Sequence, residues 1–121
     1  MKKIKTFEDA CKALKISATL PDFSTWPDDL VAFATACYKL TIIARALNGK
    51  WKPDWNNTNQ WKHYPWFYMG SAGAGFRLGV CVFGCDSSDV GSRLVFKDEK
   101  TAEYAATQFV DLYKDYMLTP A

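Results

Sequence analysis

The sequence predicts a single α+β domain, with three helices packed on a short antiparallel β-hairpin or a three-stranded sheet. Three observations carry that expectation. Leu30, Phe33, Cys37, Leu40, Ala44 and Leu47 recur at spacings of three and four, as a buried helix requires. Ala102, Ala105, Ala106, Phe109, Leu112 and Tyr116 repeat the pattern near the C-terminus. Between them Phe76, Leu78, Val80 and Val82 alternate with a period of two, the mark of a strand with one face inward. At 121 residues, two independent units would each fall near the limit of self-stability, so one domain, 1–121, is expected.

Taken in order, Thr6 is placed to cap a first helix running to about Lys15. Its hydroxyl suits the free N–H groups, and Glu8 and Asp9 suit the positive end of the helix dipole. Residues 16–26 read as a connector. Ser24 or Thr25 is expected to cap the second helix, with Pro27 in its first turn, where a missing N–H costs nothing. That helix is apolar around most of its circumference and belongs at the centre of the fold. Lys39 and Arg45 interrupt it, which makes it a poor membrane span, and Asn48-Gly49 ends it. Residues 70–75 form a glycine-rich connector. The runs 76–83 and 93–96 then read as two strands joined by the polar turn 85–91, with 64–69 available as a third. Asp98 is placed to cap the last helix.

Composition excludes more than it selects. A hydrophobic fraction of 49% is too high for a disordered tail. Fifteen Lys and Arg against thirteen Asp and Glu leave +2, far from the excess of a strongly electrostatic nucleic-acid binder. The basic N-terminal residues are followed by acids rather than an apolar run, so no signal peptide is expected and an intracellular, cytoplasmic address is. Cys11, Cys37, Cys81 and Cys85 then read as reduced thiols. Cys81 and Cys85 lack the second ligand pair that a structural zinc needs. The glycines at 70, 73 and 75 precede a strand and no Gly-Lys-Ser/Thr, so a phosphate loop is not expected. His63 is the only histidine, and no nucleophile elbow or paired acids accompany it. No catalytic residue, metal or cofactor is expected.

The informative stretch is 50–68, which holds four of the five tryptophans. Trp51, Lys52, Trp55, Trp61, Lys62, His63, Tyr64 and Trp66 are its candidate binding residues. Flat rings beside cations anchor protein interfaces and also stack bases of single-stranded nucleic acid. The competing role is packing, since a small domain with five tryptophans must bury several of them. The expectation is a non-enzymatic binding protein that docks a protein partner, or a second copy of itself, through this segment. A single-stranded nucleic-acid or nucleotide-binding module is the alternative, and no membrane partner is expected.

The chain also resembles a group of small proteins carried by Bacteroidales gut bacteria and their crAss-like phages. The resemblance rests on Lys5-Thr6-Phe7-Glu8-Asp9-Ala10-Cys11, on 47–55 with Trp51 and Trp55, on Tyr64-Pro65-Trp66-Phe67, on Gly91 to Phe96, and on the helix through Gln108-Phe109 and Leu112-Tyr113. It implies one compact unit and a phage or prophage context, and transfers no catalytic residue.

Overall fold

The computed structural model describes residues 3–70 and 75–120. Among these residues the chain forms a small α+β domain with four α-helices and one two-stranded antiparallel sheet. Helix α1, Phe7–Leu14, begins as expected: Thr6 Oγ1 accepts from Asp9 N–H at 3.1 Å, and the Asp9 carboxylate accepts from Thr6 N–H at 3.1 Å. This reciprocal box satisfies two N–H groups that the first turn would otherwise leave free. Those bonds hold the Asp9 carboxyl below its ordinary range, the Lys5 N–H contributing most.

Helix α2, Val31–Asn48, ends at Gly49, whose φ of +60° is a conformation that other residues adopt only under strain. Its start corrects the sequence reading. Neither Ser24 nor Thr25 caps it; a 3-10 turn, Asp28–Leu30, leads in from Pro27 with no side-chain cap. Of the expected stripe Leu40, Ala44 and Leu47 are buried and Cys37 is half-buried, whereas Leu30 and Phe33 are exposed. By length and hydropathy the stretch Asp28–Asn48 would reach across a membrane; here its second half is central to the packed core.

The sheet is built from other partners than the turn signals suggest. Strand β1, Lys62–Tyr68, pairs with β2, Arg77–Gly84, in the register Lys62↔Gly84 to Tyr68↔Arg77. The hairpin connection is therefore the glycine-rich stretch, of which residues 71–74 lie outside the described part. The run 93–96 is not the second strand. It forms a 3-10 turn, Ser92–Leu94, and a single bridge in which His63 and Phe96 exchange N–H···O bonds of 3.0 and 2.7 Å. Pro65 explains why pairing stops there. Two residues on from His63 it faces the same edge, and it has no N–H to give.

The C-terminal helix is two helices. Asp98 accepts from Thr101 N–H at 2.7 Å and caps α3, Glu99–Gln108. Phe109, at φ −113°, turns the chain into α4, Val110–Met117. The kink lets α3 lie against both strands while α4 packs on α2. Tyr104 and Gln108 donate to the carbonyls of Ile4 and Lys5 and tie the N-terminus to α3. Phe7, Leu40, Ile43, Phe67, Ala105 and Tyr113 bring α1, α2, β1, α3 and α4 into one core, with Leu78 and Cys81 of β2 packed against it.

Candidate binding surface

The segment from Lys50 to Tyr68 is split by the structure into three environments. The first is a tight loop. Asp54 and Asn57 accept from the N–H groups two residues on, at 3.0 Å each. Gln60 reaches back across the loop, donating to Lys52 O at 3.0 Å and accepting from Asp54 N–H at 2.6 Å. These short side chains satisfy backbone groups that no regular element would serve. Trp51 and Lys52 sit at the start of this loop, half-buried and exposed respectively.

The second environment is interior. Lys62 has 0% of its surface exposed. Its ammonium donates to three carbonyls, Asp54 O at 2.6 Å, Asn57 O at 3.0 Å and Cys85 O at 2.8 Å, which uses all three of its N–H groups. The Trp55 ring lies 5.0 Å from the same nitrogen, and its indole N–H donates to Ser92 Oγ at 2.6 Å. Opposite Lys62, Gly84 has no room for a side chain, since a Cβ would run into the Ser87 carbonyl. Tyr64 is buried as well. Lys62 and Tyr64 are therefore not surface contacts, which corrects their placement among the binding residues. Lys62 staples the aromatic loop to the turn after β2.

The third environment is solvent. Lys62, Tyr64, Trp66 and Tyr68 alternate onto one face of β1, here the outer face. Its first half is covered, and among the described residues nothing covers its second half. Trp66 is 53% exposed, Tyr68 54%, and Val80, the partner of Trp66, 55%. Arg77 lies over the Tyr68 ring at 4.3 Å and Met69 continues the apolar surface. A cleft of about 320 Å³ between Trp66, Met69, Val90 and Met117 borders this surface. At the other end of the hairpin Trp61 stacks on Phe83, 4.3 Å apart and 6° from parallel, with His63 beside them. Trp61 and Phe83 are also exposed.

Val80 was expected inward with Phe76 and Leu78. Phe76 and Leu78 do pack on the core, but the register slips between Trp66 and Phe67, leaving Gly79 as an extra residue on β2. Such a bulge exchanges the two faces from that point on, so Val80 emerges outside. Tyr68, Met69, Val80 and Phe83 escaped the sequence reading. For Val80 a signal was available: Val-Cys-Val-Phe is apolar at successive positions, and a sheet with one layer of helices can cover only one face.

The inner face is inert by comparison. Burial pushes the Cys81 thiol up to about 11, aided by Glu103 and Glu99, which keeps it protonated and unreactive near neutral pH. Among the described residues no group of three or more His, Cys, Asp and Glu side chains is placed to hold a metal ion.

Fold and surface together define a small α+β domain whose hairpin presents an uncovered aromatic face. Comparison with known protein families, with curated proteins and with solved structures finds no match.

Proposed function

We propose that this chain is a non-enzymatic binding protein of a phage or prophage, acting inside the bacterial host by docking a protein partner on the outer face of its hairpin. The observation that supports this is the bare half of that face, where Trp66, Tyr68 and Val80 are each more than half exposed. The outer face of such a sheet is ordinarily solvated and polar, so clustered exposed aromatics on it mark an interaction surface and serve as interface anchors. β2 adds a means of docking. It has β1 on one side and no strand on the other among the described residues, so its free edge offers N–H and C=O groups to an incoming strand. The single-stranded nucleic-acid alternative draws less support from this surface, because Lys62 is occupied inside the fold and Arg77 is already held over Tyr68.

The test is affinity capture from host lysate with three baits: the native chain, Trp66→Ser/Val80→Ser, and Lys12→Gln. A protein retained by the native chain and Lys12→Gln but lost from the double variant supports the proposal. Equal capture by all three baits overturns it. Light scattering on the same proteins separates a foreign partner from a second copy of this chain.

A further inference from the structure

A second surface, away from the hairpin face, has the opposite chemistry. A pocket of about 490 Å³ opens between the end of α2, the start of the aromatic loop and the Ser92–Leu94 turn. Arg45, Lys52 and Arg93 line it, together with Thr41 and Trp51, and among the described residues no carboxylate does. In a chain of +2 overall, three cations around one cavity without an acid is a local excess that the composition conceals.

The walls are fixed before any ligand arrives. Thr41, Arg45 and Asn48 lie at helical spacing on one side of α2. Asn48 is buried; its amide donates to Val95 O at 2.9 Å and accepts from Lys97 N–H at 3.0 Å, tying the helix end to the chain beside Arg93. On the opposite wall Gln60 holds Lys52 through its carbonyl, and the Trp55 indole holds Ser92. The negative end of α2 is also blunted. Gly49 N–H donates to Arg45 O and Trp51 N–H to Asn48 O, both at 3.1 Å, so these carbonyls are not left to repel an anion.

We infer that this pocket binds a small phosphorylated ligand with a flat ring, the chemistry of a nucleotide. Arg45 and Arg93 offer forked N–H donors to phosphoryl oxygens, Lys52 adds a mobile point charge, and Trp51 supplies a planar wall for the ring. The volume lies within the range of small-ligand sites, roughly 300–1,000 Å³. The inference does not depend on the docking face, since it shares neither Trp66 nor Val80 with it.

The test is isothermal titration calorimetry at low salt with ATP, adenosine and tripolyphosphate as probes. The expected result is binding of ATP, weaker binding of tripolyphosphate and none of adenosine. Arg45→Gln and Arg93→Gln should each weaken ATP by roughly tenfold, as the loss of a charge-assisted hydrogen bond does. Trp51→Leu should weaken ATP by roughly tenfold while leaving tripolyphosphate unchanged, because only the ring loses its stacking partner. Lys12→Gln, which removes the same charge from α1, should bind as the native chain does. No heat with ATP overturns the inference, as does equal weakening by Lys12→Gln. ATP and tripolyphosphate binding alike, with no effect of Trp51→Leu, would overturn the assignment to a nucleotide. Lys12, Arg45 and Arg93 are exposed and Trp51 is only half-buried, so these variants should fold.

Discussion

Lys62 and Trp66 stand on the same face of the same strand, one turn of alternation apart from Tyr64 on either side, yet one has no exposed surface and the other is half in solvent. Burial runs against polarity here: the charged residue is inside and the indole outside. The difference lies in what covers them. The loop 53–60 and the turn after Gly84 fold over the first half of the face and must satisfy their own carbonyls, and a lysine ammonium with three N–H groups meets three of them at once. Among the described residues no segment folds over Trp66, Tyr68 and Val80. A polar group is buried where it completes a hydrogen-bond set, and apolar groups are left exposed where the fold supplies no layer for them.

That contrast can be broken at the covered end first. Lys62→Met should cost about 3–5 kcal/mol in urea unfolding, because it leaves three inward-facing carbonyls without a donor. Retention of native stability would show that water replaces the ammonium and that Lys62 is no staple. Asn48→Ala removes both bonds between α2 and residues 95–97 and should cost about 2 kcal/mol by the same measurement.

Beneath the sheet, Asp98→Ala should cost about 1 kcal/mol at neutral pH through the lost α3 cap. The Thr101 side-chain contact, with its N–H bond, holds the Asp98 carboxyl below its ordinary value of 3.8. Its contribution is therefore complete above that value and fades as pH falls through the lower folded one. Stability curves of the native chain and Asp98→Ala should converge in acid; a constant gap would contradict the cap. The smallest effect belongs to the bare end. Trp66→Ser/Val80→Ser should change stability by no more than about 0.5 kcal/mol per site, since neither side chain fills the core. A large loss would mean that these residues hold the hairpin together.

Much of the fold was legible because local chemistry and packing agreed. Thr6 and Asp98 begin helices and Asn48-Gly49 ends one, as their side chains and backbone freedom dictate. Sheet pairing was not legible, because 93–96 has the composition of a strand but meets Pro65, which cannot continue the ladder. The inward direction of Val80 was misread for a related reason: one extra residue at Gly79 reverses a face without altering the pattern of apolar letters. In the aromatic segment the residue types marked a special region correctly. They did not distinguish Lys62, a buried staple, from Lys52, an exposed cation beside Arg45 and Arg93, since those two arginines come from distant parts of the chain.

The division of this segment into an anchored half and an exposed half is tested most directly by its indole N–H signals. In a ¹⁵N-labelled sample, a soluble paramagnetic agent should broaden the indole resonances of Trp61 and Trp66 strongly. It should broaden that of Trp55 less, since its ring is half-buried against the Lys62 ammonium. Broadening of Trp55 as strong as that of Trp66, or protection of Trp66, would contradict the division and remove the docking face with it.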